Sequence, residues 1–353
     1  MSGRLAPDAT VAIDEPVEAG TVYARGYFGT VGAGRLQLDR LEATYLLEME
    51  RIQVARPDGR SVAFPELFRR AARAEEGFGI RYVVYRDLRQ RGYVVRASAP
   101  PASFAVLPRG GTLHKTPARF WVEPWSERRP FELAEVLALA ERARTARKQL
   151  LLAVVDEESD LTYYLVRLPR PTGTQSPAPA SEPAEGLVNE DRVSLLEPEA
   201  VERLGGVLSY GSKIGHRLEL SLLEASYLVD RGALRLRELR THRPVERAAL
   251  ERRARRLDPR YPERRAVYGW LRDHGLVVKT GFKYGAHFRA YTRDPSHAHA
   301  RYLIQSVRPE YAQAWPVVSG AVRLAQGVRK EHLFAETSEG DTVRFLSLER
   351  IRP

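Results

Sequence analysis

The chain has 353 residues, 43% hydrophobic and 29% charged, with 56 Lys and Arg against 45 Asp and Glu, a net charge of +11. That length exceeds one ordinary domain, and that composition excludes a disordered, collagen-like or coiled-coil body. The absence of cysteine excludes disulfides, thiol catalysis, iron–sulfur clusters and Cys-ligated zinc, while the positive surplus points to a polyanionic partner such as nucleic acid. No apolar run reaches the ~18 residues of a membrane span. The N-terminal MSGRLAPDATVAIDEP lacks a signal-peptide core. A cytoplasmic protein with no membrane partner is therefore expected.

The chain reads as one unit written twice. GRLQLDRLEATYLL, from Gly34, returns as HRLELSLLEASYLV, from His216. YRDLRQRGYVVR, from Tyr85, returns as YGWLRDHGLVVK, from Tyr268, and RKQLLLAVVDEESD, from Arg147, returns as RKEHLFAETSEGD, from Arg329. Three matches in order, at offsets of 182 or 183 residues, exceed chance. Residues 1–170 are thus the first copy. Residues 171–190, rich in Pro, Ala, Ser and Glu, read as a linker. Residues 191–263 are the N-terminal part of the second copy and 264–353 its C-terminal part.

Within the second copy, LSLLEASYLV has helical patterning, and the Arg-rich stretch from Glu238 to Arg265 reads as a solvated helical face. Arg264–His274 is predicted helical, with Gly275 placed to end it. LVVK, HFRAYT and ARYLIQSV follow as strands. Pro316 suits a first helical turn, and Val317, Val318, Ala321, Leu324 and Ala325 recur at helical spacing. LFAE and TVRFLSLERI close the domain as strands around the turn TSEGD. The order predicts an α/β fold of mixed, α+β character: a small mixed sheet with a helix on each face.

His287, His297 and His299 are crowded, with Asp294 nearby, but no HxxxH or HExxH pattern exists and the Asp294-Pro295 turn scatters them. No metal and no cofactor is therefore expected. Cleaving RNA without metal needs a base for the 2′-hydroxyl, an acid for the leaving oxygen and a fixed cation for the phosphate. Tyr291, His299 and Lys330 are the candidates. In the first copy these positions hold Leu107, Pro117 and Lys148. The first copy has therefore lost two of three ionisable groups while its surroundings match. Only six of the 56 basic residues are lysines, so a lysine kept in both copies stands against a strong arginine preference. A cation at a helix C-terminus is the structural alternative for Lys330.

VVKTGFKYGAHFRAYTRD, HARYL and RLAQGVRK together resemble the catalytic half of the archaeal tRNA-splicing endonuclease (tRNA-intron lyase). The resemblance spans both copies and is nearest to the homodimeric type in which a degenerate copy precedes a catalytic one. It implies a tandem repeat, each copy a small N-terminal α/β subdomain plus an endonuclease-like subdomain. It implies Tyr291 as general base, His299 as general acid and Lys330 as transition-state cation. The substrate implied is precursor tRNA carrying a bulge–helix–bulge, and the products a 2′,3′-cyclic phosphate and a 5′-hydroxyl. Arg323 matches a family arginine that stacks on a bulged base, with Arg344 or Arg350 as its partner. The turns Asp156–Asp160 and Glu339–Asp341 match the family's acidic docking loops, or are plain solvated turns. His297 competes with His299 for the acid role. Two rival functions remain: a metal-dependent, structure-selective DNA nuclease, for which Glu331 beside Lys330 lacks paired carboxylates, and a non-catalytic RNA-binding subunit.

Overall fold

The computed structural model describes residues 1–32, 34–98, 102–177, 182–338 and 342–353. Two compact units emerge. The first comprises residues 1–130, 139–165 and 350–353; the second comprises residues 131–138 and 166–349.

The repeat seen in sequence is a repeat of topology. The N-terminal sheet of the first copy runs Thr30–Gly32, Arg35–Leu38, Val11–Ile13, Ser2–Leu5, Gln53–Ala55, with Ser61–Val62 beyond. The second copy repeats that order with Ser212–Ile214, Arg217–Ser221, Arg192–Leu195, Ala184–Asn189 and Leu234–Glu238. The C-terminal subdomains repeat as well. Val277–Thr280, Phe288–Tyr291, Tyr302–Val307, Glu331–Thr337 and Val343–Ile351 are ordered as Val95–Ala97, Phe104–Val106, Phe120–Ser126, Gln149–Val155 and Leu161–Arg167 are. The fold is a mixed α/β tandem repeat.

Two of these elements differ from expectation. The linker was predicted to run through residue 190, yet Ala184–Asn189 is a strand, antiparallel to Arg192–Leu195 and parallel to Leu234–Glu238. Alternation carries it: Ala184 and Val188 are buried while Glu185 and Asn189 are exposed. The linker's start is also held, because the backbone amides of Gly173 and Gln175 donate to the carbonyls of His274 and Gly275. The helical patterning around LSLLEASYLV begins as a strand, Arg217–Ser221, before the helix Leu222–Asp230. Ser221 makes that switch. Its hydroxyl accepts from the Glu224 amide while the Glu224 carboxylate accepts from the Ser221 amide.

In the C-terminal part of the second copy, the helix Tyr261–Asp273 starts three residues before the predicted Arg264, with Pro262 in its first turn. Gly275, at φ +77°, ends it. There the Gly275 amide bonds the Arg272 carbonyl at 3.1 Å and the Leu276 amide bonds Leu271 at 3.0 Å, a left-handed cap that glycine adopts without penalty. Val267, Tyr268 and Leu271 pack on one face of the sheet with Ala290, Ile304 and Leu333. The helix Trp315–Gly327 covers the other face, where Ala325 meets Leu303. That helix is also the crossover a parallel pair needs: Tyr302–Val307 runs parallel to Glu331–Thr337. In the second unit, Phe131–Glu132 pairs with Ala312–Gln313 and the Phe131 ring packs on Trp315 and Phe334 at 5.5 and 5.4 Å.

A buried arginine ties the subdomains of each copy. Arg272, 2% exposed, donates to the Leu208 carbonyl at 3.0 Å and lies 3.9 Å over the Tyr210 ring. Its counterpart Arg89 donates to the Gly26 carbonyl at 2.8 Å and lies 3.7 Å over Phe28. Carbonyls and a ring face replace the water a guanidinium loses on burial. Among the described residues no helix is long and apolar enough to cross a membrane.

Candidate active site

The candidate residues gather at one end of the second copy's C-terminal sheet. Val277 stands opposite Tyr291, Ala290 opposite Tyr302, and Tyr302 beside Glu331. The ladder continues one step outward, because the Arg301 amide donates to the Ala290 carbonyl and the Glu331 amide to the Arg301 carbonyl, both at 2.9 Å. Tyr291, Arg301 and Lys330 therefore form one row across three adjacent strands. With strands ~4.8 Å apart, the outer two backbones are about 10 Å from each other.

Tyr291 ends its strand and is 8% exposed, packed with Val277 and Ala300. His299 precedes Ala300 and is exposed. The packing of Ala300 against Tyr291 thus holds the histidine's backbone beside the tyrosine. Lys330 is half-buried just past the Trp315–Gly327 helix. Its ammonium donates to the Val328 carbonyl at 3.1 Å and lies 5.4 Å from the Tyr284 ring centre. The helix-capping reading of Lys330 therefore has direct support, and the same contact holds the charge in place. A cavity of about 390 Å³ opens beside it, with Arg301, Gln326 and Arg329 in its wall. In that wall Arg167 pairs with Glu349 at 2.7 Å. His332, also in the wall, is buried, and burial pushes its imidazole down to about 4.

The remaining candidates lie elsewhere. Arg323 is exposed on the helix preceding Lys330. Arg344 forks onto the buried Glu336 carboxylate at 2.7 and 2.9 Å. Glu336 sits six residues along the strand from Lys330, about 20 Å at a strand's rise, so Arg344 is not brought to the row. His297 is exposed. His287 is half-buried, with Nδ1 accepting from the Ser306 amide at 3.0 Å. Among the described residues no group of three His, Asp or Glu side chains gathers to hold a metal ion. The turn Asp156–Asp160 is exposed in part, with Arg128 paired to Glu157 at 2.8 Å; Glu339–Asp341 lies outside the described residues.

Sequence reasoning missed Arg301. Its signal was available, since Arg119 holds the equivalent place in the first copy, its amide bonded to Val106 as that of Arg301 is to Ala290. Strand register is non-local, and only the folded sheet shows that this arginine stands between Tyr291 and Lys330.

Comparison with known proteins agrees with the internal repeat. The tRNA intron endonuclease N-terminal domain matches residues 1–68 and again 184–250. The tRNA intron endonuclease catalytic C-terminal domain matches residues 78–163 and again 261–345. A tRNA-splicing endonuclease of Methanosarcina acetivorans is 38% identical over 358 residues, covering 100% of both chains. Those of Methanococcoides burtonii and Halobacterium salinarum are 36% and 35% identical, each covering 94% of both chains. With both domain types present twice in alternation and relatives this similar from end to end, the chain belongs to the tRNA intron endonuclease family.

Proposed function

We propose that this chain excises introns from precursor tRNA by cutting at the intron–exon junctions of a bulge–helix–bulge, without a metal. The observation that carries the reading is the row at the sheet end. Tyr291, with His299 beside it, and Lys330 occur together in the second copy, where the first has Leu107, Pro117 and Lys148. Tyr291 orients the 2′-hydroxyl of the scissile nucleotide and takes its proton. The 2′-oxygen attacks phosphorus, and Lys330 stabilises the negative charge that builds on the pentavalent phosphate. His299 gives a proton to the departing 5′-oxygen. The 2′-oxygen–phosphorus bond forms as the phosphorus–5′-oxygen bond breaks, leaving a 2′,3′-cyclic phosphate and a 5′-hydroxyl. The exposed Arg323 supplies a guanidinium plane for a splayed base, which suits RNA whose helical grooves hide sequence. Two chains act as a homodimer, as the resemblance implies.

The test is cleavage of a precursor tRNA after EDTA treatment, with end-group analysis. Cleavage should persist, and it should stop when the scissile 2′-hydroxyl is replaced by hydrogen. His299→Ala should lower the rate by ~10²–10⁴-fold. An absolute requirement for Mg²⁺, with cutting of the deoxy substrate, would overturn the mechanism. Full activity of His299→Ala with loss in His297→Ala would move the acid to His297.

A further inference from the structure

A second cavity, of about 560 Å³, lies in the second copy and shares no lining residue with the one beside Lys330. Lys279, His287 and Arg289 line it from the C-terminal subdomain; Gly211, Ser212 and Glu224 line it from the smaller one. Its charges are unbalanced. Lys279 stands directly opposite Arg289 in the antiparallel register, and like charges so placed repel. Among the described residues no carboxylate is ion-paired with either. The Lys279 ammonium donates to the Gly211 carbonyl, and the Arg289 Nε is buried with no hydrogen-bond partner. His287 adds a donor. Its Nδ1 accepts from the Ser306 amide, which leaves the proton on Nε2. Burial, with Arg264 and Arg260 nearby, holds the ring pKa at about 4, so it is neutral near pH 7.

Two carboxylates of the wall are paired elsewhere, while Glu224 lies near enough to Lys279 to favour its charged form. Asp191 pairs with Arg192 at 3.0 Å, and Glu219 with Arg217. Glu224 accepts from the backbone amides of Gly211 and Ser221 at 2.7 and 2.9 Å. The wall therefore presents donors in excess of acceptors.

The first copy shows the same place neutralised. Its residues there are Arg96, Ser103 and Ala105. Arg96 donates to the carbonyls of Tyr27 and Gly29 and pairs with Glu42 at 3.1 Å, and the Ser103 hydroxyl donates to Glu123 at 3.1 Å. Neither an unpaired cation nor a cross-strand pair of cations survives at these three positions. The duplicated fold thus does not require the cationic arrangement.

We propose that this cavity binds a phosphate-bearing ligand of nucleotide size, its oxyanion held by Lys279, Arg289 and the Nε2–H of His287. A phosphate between two opposed cations removes their repulsion and gives charge-assisted bonds to their ammonium and guanidinium donors. The volume lies in the range of small-ligand pockets and exceeds what one phosphate fills. Such a phosphate comes either from a free nucleotide or from the backbone of bound RNA.

The test titrates inorganic phosphate and 5′-AMP into the full chain by calorimetry. It compares wild type with the triple variant Lys279→Arg, His287→Ser, Arg289→Ala. That variant installs what the same fold already carries at Arg96, Ser103 and Ala105, and circular dichroism and thermal melting check that it folds. Wild type should bind, and the variant should bind about tenfold to a hundredfold more weakly for each charge-assisted bond lost. The single change Arg289→Ala gives a second reading should the triple variant melt early. Filter binding of a bulge–helix–bulge RNA separates the sources. Weaker RNA binding by the variant, with phosphate competing in wild type, identifies the RNA backbone; unchanged RNA binding with lost AMP binding identifies a free nucleotide. The proposal is overturned when wild type binds neither phosphate nor AMP and RNA affinity is unchanged by the triple variant, or when the variants bind both probes as wild type does. Neither readout needs RNA cleavage, so failure here is distinct from failure of the cleavage mechanism.

Discussion

At the scale of single residues, the second copy holds two histidines whose rings are kept neutral by burial, and they are not the ones proposed for catalysis. His332 is 6% exposed, packs 4.7 Å from the Phe334 ring, and has an Nδ1 without a hydrogen-bond partner among the described residues. Burial lowers its pKa from 6.5 to about 4. The folded state therefore binds fewer protons than the unfolded chain between those values. Its contribution to stability is intact above pH 6.5 and is lost as pH falls toward about 4. Dropping from pH 7 to pH 4.5 should cost about 2 kcal/mol through this group. His332→Leu should remove that part of the loss. Urea midpoints for both proteins across this range measure it, and equal pH slopes would show that the ring is not held neutral. His299 is exposed in its loop. An exposed imidazole keeps access to the protons that a general acid must exchange.

Elements show how a conserved local device fixes the second copy's architecture. The capping box of Ser221 and Glu224 does more than start the helix Leu222–Asp230. The free oxygen of Glu224 reaches the Gly211 amide at 2.7 Å, which fixes the turn before Ser212–Ile214. The first copy builds the same joint from Asp39 and Glu42, with the Gly29 amide at 2.9 Å from Glu42. Ser221→Ala should cost about 1 kcal/mol by denaturant unfolding, with Ser221→Thr recovering most of it. A loss near zero for the alanine variant would mean the cap is not formed. Much of the second copy's C-terminal part is legible in sequence at this scale. Alternation in FRAY and YLIQSV, Pro316 and Gly275 mark strands, a helix start and a helix end, all local signals. The strand Arg217–Ser221 is less legible because its residues run straight into a helix, and the switch depends on one serine hydroxyl. The strand Ala184–Asn189 is hidden by the Pro- and Ala-rich stretch before it. Arg301 and the opposition of Lys279 to Arg289 are set by pairing between strands far apart in sequence. The proposed set of Tyr291, His299 and Lys330 rests on a different signal, an internal copy that holds Leu107 and Pro117 in place of two of the three.

The whole molecule carries +11, and its arginines are unevenly engaged. The Arg-rich stretch of the second copy reads in sequence as a solvated helical face. In the fold, Arg247 and Arg265 both pair with Asp230, Arg253 with Glu238, Arg255 with Glu251 and Arg264 with Asp258. Those carboxylates neutralise much of the stretch, as expected for a solvated helical face with only Leu250 and Ala254 buried. Five of the stretch's ten arginines are engaged this way, so the charge left to attract RNA includes the exposed Arg240, Arg243, Arg252, Arg256 and Arg260 as well as Lys330, Arg301 and Arg323. Attraction of this kind works by releasing counterions. A chain that neutralises about six phosphates loses about a thousandfold in affinity between 50 and 200 mM salt. Precursor tRNA binding should show such a slope. The slope also separates two roles for Arg323. Stacking on a base neutralises no phosphate, so Arg323→Ala should weaken binding with the salt slope unchanged. A fall of about one in that slope would instead make Arg323 a phosphate contact. Lys330→Ala should lower the slope and the cleavage rate together, because a cation beside the scissile phosphate serves binding and chemistry at once.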